Sequence, residues 1–171
     1  MVRHPVDAVW TTMRDRLPDV AKSMDDLERI EVLTRSAEPD SLHVTNRWVA
    51  KQKVPAMLRG ALGAESIEWL DKAIWRDAER ICEWTIEPSV LQGWIECAGK
   101  TRYETAMAGR GTRVTFEGYF NLGAGFASGL TKTFEPAIAS FVESIVTIMI
   151  PRNLSRAIAA AGELIAAKMI A

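Results

Sequence analysis

The chain has 171 residues, of which 48% are hydrophobic and 25% are charged, and its formal net charge is -1. This composition is ordinary for a folded globular protein and argues against intrinsic disorder. A net charge near zero offers no positive field to a polyphosphate backbone, so we expect no nucleic-acid partner. The length is that of one domain covering residues 1–171.

The cysteines and histidines do not form the pattern of a metal site or of a nucleophilic triad. Cys82 and Cys97 lack both metal-ligand spacing and a disulfide framework, and we interpret them as reduced thiols of a cytoplasmic protein. His4 precedes a proline near the N-terminus, and His43 lies among polar residues, with no serine or cysteine tied to either by context. The sequence therefore predicts no metal and no cofactor.

No targeting or membrane-spanning segment is predicted. The first ten residues contain Asp7 and lack the apolar run of a secretory signal. The most apolar stretch, Ala137–Ile150, contains Glu143 and stops at Pro151. It is shorter than the about 20 apolar residues that cross a membrane as a helix.

The first part of the chain predicts a helix followed by two strands. Pro5 suits the first turn of a helix, and apolar residues follow it at helical spacing as far as Leu17. A short second helical stretch is predicted at residues 19–24. Residues 30–35 and 42–49 have the β-branched content or the alternation of strands, and a turn cluster separates them.

A short helix and four further strands are predicted next. Pro55 begins and Gly63 ends a helical segment at residues 53–63, which carries an apolar stripe. Strands are predicted around residues 67–76, 82–86, 94–107 and 113–121, with a turn at residues 88–93 and a tight hairpin at residues 109–111.

Beyond Gly129 the chain is predicted to be helical, with Pro151 kinking or interrupting the helix. One helix can cover six strands only if the sheet curls around it. We therefore predict an α+β fold in which a curved antiparallel sheet wraps around a long C-terminal helix. One short N-terminal helix and a helical lid at residues 53–63 complete this architecture.

The aromatic strand faces predict a cavity between the sheet and the helix. Six tryptophans are many for this length, and they either fill a core or line a ligand site. On the second interpretation, a hydrophobic ligand contacts residues of the strands, of the lid and of the helix stripe. These residues are Trp48, Trp69, Trp75, Trp84, Phe116 and Phe120 on the strands, Met57 and Leu58 in the lid, and Phe134, Ile138, Phe141 and Ile145 on the helix.

The order of elements, together with four local segments, resembles the START-like helix-grip (SRPBCC) superfamily, and within it the PRELI-like phospholipid-transfer domains. The segments are His4-Pro5-x-x-x-Val9, the Leu42–Trp48 strand, the run Val54–Gly60, and the Glu117–Asn121 strand that leads into a long helix. The resemblance implies a deep lipid cavity under the lid, with Lys51, Lys53 and Arg59 placed to meet phosphate head groups or an anionic membrane. It also implies a strand before the first helix. Only Met1–Arg3 precede His4, so that strand is either very short or truncated.

Three functions stay open at this point. The favoured one is non-enzymatic binding or transfer of a lipid or other hydrophobic molecule by a cytoplasmic protein that makes transient contact with a membrane surface. The alternative is an enzyme of the polyketide cyclase or dehydratase type that acts on an apolar or aromatic substrate, with Tyr103 or Glu96 as the acid/base. The third is an interaction module in which the apolar helix at residues 154–171 pairs with itself in a homodimer.

Overall fold

The structure, a computed structural model, describes residues 1–90, 95–123 and 135–170. Two short helices open the chain, six strands follow with a seven-residue helix between the second and third, and a long helix ends it. The elements are α1 (Val6–Asp15), α2 (Leu17–Ala21), β1 (Leu27–Ala37), β2 (Leu42–Lys53), α3 (Ala56–Leu62), β3 (Ser66–Arg76), β4 (Ile81–Pro88), β5 (Ile95–Ala106), β6 (Gly111–Leu122), α4 (Glu135–Ser144), a π-helix (Ile145–Met149) and α5 (Ile150–Ile170).

All six strands form one antiparallel sheet in chain order. One end of the sheet holds the start of β3 and the ends of β2 and β4, because Lys53 pairs with Ser66 and Trp69 with Pro88. The opposite end holds the β5–β6 hairpin. The predicted α+β helix-grip architecture, with its strand order and its long C-terminal helix, is confirmed.

The strand before the first helix is reduced to a single residue. Val2 forms one antiparallel bridge with Thr112 of β6, through two backbone hydrogen bonds of 2.9 and 2.8 Å. Thr112 also donates its hydroxyl proton to the His4 carbonyl at 2.7 Å. Val2 therefore adds a single bridged position at the β6 edge, ahead of the first helix.

The long C-terminal helix packs one apolar stripe on the concave face of the sheet, and a π-helix shifts that stripe. Ile138, Val142 and Ile145 are buried at spacings of three and four, whereas the next buried residue, Ile150, is five positions further on. A wide π-turn accommodates the additional residue. It lies directly before Pro151, which has no backbone N–H for an intrahelical hydrogen bond. The interruption predicted at this proline therefore takes the form of a π-turn.

The residues Pro136–Lys168 form a helix that is long and apolar enough to cross a membrane by length and composition alone. The core helix of a soluble protein meets the same criteria. In this fold the helix contributes Ile138, Val142, Ala157 and Ala161 to the hydrophobic core.

Two glycines on neighbouring strands bring the sheet backbone into contact with one tryptophan. Gly99 of β5 pairs with Gly118 of β6. A Cβ atom at Gly99 would lie 2.2 Å from the Glu117 carbonyl oxygen and 2.6 Å from Cζ2 of Trp84. Because the first of these neighbours is backbone, a side chain here requires the two strands to move apart.

We expect Gly99→Ala to lower the free energy of unfolding by about 1–3 kcal/mol, because the added methyl group overpacks the β5–β6 ladder. The matched control is Gly60→Ala in α3, where a Cβ atom has no neighbour within 4 Å. Alanine has the higher helix propensity, so the control should gain about 0.5–1 kcal/mol. Urea denaturation of the three proteins measures both changes. Equal stability of Gly99→Ala and wild type would contradict the close approach at this position.

Candidate functional site

Two pockets flank the C-terminal helix on opposite sides. The first, called the apolar pocket, has a volume of about 320 Å³ and lies between β4–β6 and the start of α5. The second, called the polar pocket, has a volume of about 300 Å³ and lies between the α2–β1 connection, the end of β2 and the same helix. Both are at the lower end of the roughly 300–1,000 Å³ that small-molecule sites occupy.

The floor of the apolar pocket is built from aromatic side chains on the concave face of the sheet. Phe116 and Phe120 point inward on β6, on either side of Gly118. Trp84 reaches across from β4, and its indole N–H donates to the Thr101 hydroxyl on β5 at 3.0 Å. The half-buried Trp84 ring is therefore anchored by a hydrogen bond and forms part of the pocket wall.

The roof of the apolar pocket is the helix around the π-turn. Ile150, Pro151 and Leu154 face the aromatic floor, and Thr147 and Ser155 supply hydroxyl groups on this side. None of the described residues that line the pocket is charged. The lining residues are Trp84, Cys97, Phe116, Gly118, Tyr119, Phe120, Thr147, Ile150, Pro151, Leu154 and Ser155.

The polar pocket has a different chemistry. Asp26 accepts a hydrogen bond from Arg152 at 2.7 Å and another from Arg156. Burial acts to raise the pKa of Asp26, but the two arginine hydrogen bonds outweigh it, so the pKa lies below its ordinary value. Asn153 is 2% exposed and lines the pocket, and its Oδ1 has no hydrogen-bond partner among the described residues. Lys51 lies on the opposite wall.

A buried carboxyl group lies inside the sheet, away from both pockets. Asp71 of β3 is 7% exposed and accepts a hydrogen bond from the Asn46 amide at 3.4 Å. Burial raises the pKa of Asp71 to about 6, although the Asn46 hydrogen bond acts to lower it. The Trp48 indole N–H acts in the same direction as Asn46, without a hydrogen bond of normal geometry.

Asp71 was missed by the sequence reasoning, although a signal was present. It lies between Trp69 and Ala73 in an alternating run, and strand alternation places it on the same inward face. The alternation that predicts an inward Trp69 and Trp75 predicts an inward Asp71 as well. The hydrogen-bond partner of Asp71 has the same inward direction, because Asn46 of β2 lies on the inward face and pairs directly with Asp71 across the strands.

Three of the predicted cavity tryptophans, Trp48, Trp69 and Trp75, pack against other aromatic rings and line neither the apolar nor the polar pocket. Trp48 and Trp69 stack with ring centroids 5.6 Å apart. Trp10 makes edge-to-face contacts with Trp75 at 5.0 Å and with Tyr103 at 5.1 Å. Such contacts stabilise a core, so for these residues the core-packing interpretation describes the geometry.

The predicted cavity residues are thus divided among several environments. Trp84, Phe116 and Phe120 line the apolar pocket, Ile138 and Ile145 are buried in the core, and Phe141 is half-buried. Phe134 lies outside the described residues. In α3, Leu58 is buried, whereas Met57 is 71% exposed.

The three predicted head-group cations have different partners. Lys51 lines the polar pocket. Lys53 lies 3.8 Å from the Glu28 carboxylate, and Arg59 donates to the Val54 carbonyl at 3.0 Å. Arg152 was not predicted, and it is the cation that the helix brings to the polar pocket.

The two candidate acid/base residues lie on opposite faces of β5. Glu96 is exposed on the convex face, whereas the Tyr103 side chain is buried against Trp10 and Trp75. Burial raises the pKa of the Tyr103 hydroxyl well above its ordinary value, with smaller contributions from Cys82 and Asp71. Neither residue lines the apolar or the polar pocket.

The remaining nucleophile and metal-ligand candidates are buried or dispersed. Burial raises the pKa of the Cys97 thiol to about 11 and raises that of Cys82 well above its ordinary value, so neither thiol is activated as a thiolate. Within residues 1–90, 95–123 and 135–170, no three His, Cys, Asp or Glu side chains are grouped as metal ligands.

We expect Asp71→Asn to stabilise the protein in a pH-dependent manner. Folding raises the pKa of the Asp71 carboxyl group from 3.8 to about 6. Ionised Asp71 therefore lowers the free energy of unfolding once the pH exceeds 3.8, and this loss of stability reaches its full size above pH 6. The variant should therefore be more stable than wild type by about 2–3 kcal/mol at pH 8 and by about half as much at pH 5.

Thermal or urea denaturation between pH 5 and pH 8 measures this difference. The exposed Asp40→Asn is the control and should change stability equally little at every pH. A constant difference between Asp71→Asn and wild type across this range would show that Asp71 is already ionised throughout.

The sequence and structure were compared with those of known proteins. No protein-family model matches the sequence, and no curated protein matches it. Among solved structures, the Zhui aromatase/cyclase from a Streptomyces species has a TM-score of 0.60 and 16% sequence identity, covering 98% of this chain and 90% of that one. A conserved protein from Geobacillus kaustophilus has a TM-score of 0.50 and 11% identity, covering 96% of this chain and 90% of that one. These likenesses are of fold, and they identify the chain as having the helix-grip α+β architecture over nearly its whole length.

Proposed function

We propose that this protein binds a hydrophobic small molecule in the apolar pocket without transforming it. The observation that carries the proposal is an uncharged pocket of about 320 Å³ between an aromatic floor and the C-terminal helix. An open apolar surface of this kind is unusual on a monomeric protein unless it contacts a ligand or a partner.

The chemistry of the pocket favours binding over catalysis. Its polar side chains are Cys97, Tyr119, Thr147 and Ser155, and among the lining residues no histidine, carboxylate or cation accompanies them. A thiol or hydroxyl group acts as a nucleophile only when an adjacent base or a lowered pKa activates it, and burial instead raises the pKa of the Cys97 thiol. Binding requires only burial, at roughly 0.8 kcal/mol for each methylene group removed from water.

The finer form of this proposal is a lipid carrier similar to the PRELI-like domains, which would work in the cytoplasm and touch membranes transiently. Its support is local. Met57 is exposed on α3, next in the chain to the β2 end that carries Lys51 and Lys53. A protruding apolar side chain beside cations is suited to an anionic lipid surface.

An enzyme acting on an apolar or aromatic substrate is the second candidate. The observation that favours it is the fold likeness to an aromatase/cyclase. An acid/base residue would then have to be other than Glu96, which faces away from the concave side. Asp71 has a suitable pKa but lies outside the pocket, so the carrier remains the better-supported function.

We expect Leu154→Trp to block the apolar pocket, because a larger ring on α5 would occupy the space above the aromatic floor. The purified protein, extracted with organic solvent and analysed by mass spectrometry, should carry a hydrophobic molecule that the variant lacks. Re-binding of that molecule should weaken by at least about 10-fold, which is 1.4 kcal/mol.

The control for this substitution is Ala159→Trp, which places the same ring on the exposed face of α5. It should retain the wild-type ligand and affinity. If the extract contains no ligand and Leu154→Trp binds hydrophobic probes as wild type does, the apolar pocket is not a binding site.

We expect Met57→Glu to reduce binding to anionic vesicles, because a carboxylate on α3 is repelled by acidic head groups and does not enter an apolar layer. Co-sedimentation with phosphatidylserine-containing vesicles should fall several-fold. Met107→Glu is the control, since Met107 is also exposed but lies in the hairpin at the opposite end of the sheet. Equal losses in both variants would indicate non-specific charge repulsion instead of docking through α3.

A further inference from the structure

The indole ring of Trp84 lies along the concave surface of the sheet, spanning two neighbouring strands. Cζ2 lies 2.6 Å from the position of a Cβ atom on Gly99, and Cη2 lies 2.6 Å from that position on Gly118. These glycines belong to β5 and β6, and adjacent strands are about 4.8 Å apart. A ring attached to β4 that reaches the Cβ positions of both glycines must lie along the sheet. A ring perpendicular to the sheet would not reach the Gly118 position on the second strand.

The sequence leaves room for this ring at two paired positions. Gly99 and Gly118 are direct cross-strand partners, and any side chain at either would occupy the space that the indole fills. The Thr101 hydroxyl, two residues along β5, accepts the indole N–H at 3.0 Å and fixes the orientation of the ring in its plane. The underside of the indole is therefore covered by backbone, and its other side contributes to the apolar pocket.

The result is a slot with a flat floor. Phe116 and Phe120 lie on either side of the indole along β6, and Ile150, Pro151 and Leu154 form the roof. A flat aromatic molecule inserted here would offset-stack on Trp84 and Phe116 while its other face contacts the aliphatic roof. A flexible alkyl chain would bury similar area without the stacking contribution, and it would lose rotamer freedom on binding.

We infer that the apolar pocket selects flat, uncharged aromatic molecules over flexible alkyl chains, and that Trp84, held down by the Gly99–Gly118 pair, is its specificity-determining residue. This inference rests on the general form of the proposed function, which is hydrophobic binding in the apolar pocket, and it names flat aromatic molecules instead of lipid chains as the class that this pocket takes. The absence of charged groups among the lining residues excludes ligands with an ionised group buried inside the slot.

The experiment compares two neutral alcohols, naphthalenemethanol and decanol, by titration calorimetry on the full chain. Wild type should bind naphthalenemethanol more tightly. Trp84→Leu keeps an apolar side chain but removes the platform, so it should weaken naphthalenemethanol binding by roughly 3- to 10-fold and decanol binding by less than about 2-fold. Trp84→Phe retains a ring and should recover part of the lost affinity.

Gly118→Ala tests the same slot without changing the tryptophan. Its methyl group should lift the Trp84 ring into the pocket and weaken the binding of both alcohols, whereas Gly60→Ala should change neither. Each variant is accepted only if its circular dichroism and unfolding midpoint show a folded protein. Should Trp84→Leu not fold, the ratio of the two affinities in Trp84→Phe, compared with that in wild type, still decides the matter.

The outcomes separate this inference from the proposed function. If wild type binds both alcohols, Leu154→Trp blocks both and Trp84→Leu weakens both equally, the pocket binds hydrophobic molecules but Trp84 does not select flat ones. Tighter binding of decanol than of naphthalenemethanol by wild type would overturn the inference in the same way. If neither alcohol binds wild type, both the inference and the proposed function are wrong.

Discussion

The structure depends on one constraint, which is that a single antiparallel sheet must cover the apolar stripe of one long helix. Both pockets lie where this cover is incomplete, one on each side of the helix. The π-turn at Ile145–Met149 contributes to this, because it rotates the helix face by one residue between Ile145 and Ile150. Residues after the turn therefore meet the sheet at positions that a continuous α-helix would not provide.

Because the π-turn rotates the helix, Asn153 and Ala157 are buried while Leu154 is only half-buried. A regular α-helical stripe continued from Ile145 at spacings of four and three would pass through Met149, Arg152 and Arg156, and it would leave Asn153 and Ala157 off that face. Instead, the helix presents an amide to the polar pocket and an aliphatic surface to the apolar pocket. The same helix thus separates two sites of different chemistry, and a ligand that enters one meets none of the groups of the other.

The architecture was predictable from the sequence, because alternation and helical spacing are local signals. The strand around Trp69 and Trp75, the hairpin at Gly109–Gly111 and an interruption of the helix near Pro151 each follow from residues close in the chain, whereas the π-turn that forms this interruption was not predicted. Whether an inward-facing side chain is covered or left open to a pocket is not encoded by the neighbouring sequence. Trp75 and Trp84 both face inward, yet Trp75 packs against Trp10 and Trp84 lines a pocket, since only the position of the helix decides which inward residue is covered.

Partners that come from distant parts of the chain account for the other differences. The neighbours of Lys53 and Arg59 are a carboxylate on β1 and a backbone carbonyl, neither of which a linear pattern reveals. Asp71 is a different case. Strand alternation predicts that its side chain points inward, and only the structure shows how a carboxyl group is accommodated in the core. A carboxyl group there is accommodated by Asn46 and by a raised pKa, which lets it become neutral near pH 6.

The glycine pair is the strongest sign that the concave surface near Trp84 is adapted to something other than packing. Glycine in a strand interior loses more conformational freedom on folding than alanine, a cost of roughly 0.5–1 kcal/mol, and at Gly99 and Gly118 this cost is offset because the Trp84 ring occupies the space of the missing side chains. If Trp84 served only to fill the core, a side chain at Gly118 together with a smaller residue on β4 would fill the same volume without that cost. What the glycines provide instead is a ring lying flat, anchored at Thr101 and left half-exposed towards a pocket that the helix does not fill. A half-exposed ring held in this way supports the proposal that a ligand contacts the aromatic face of the apolar pocket.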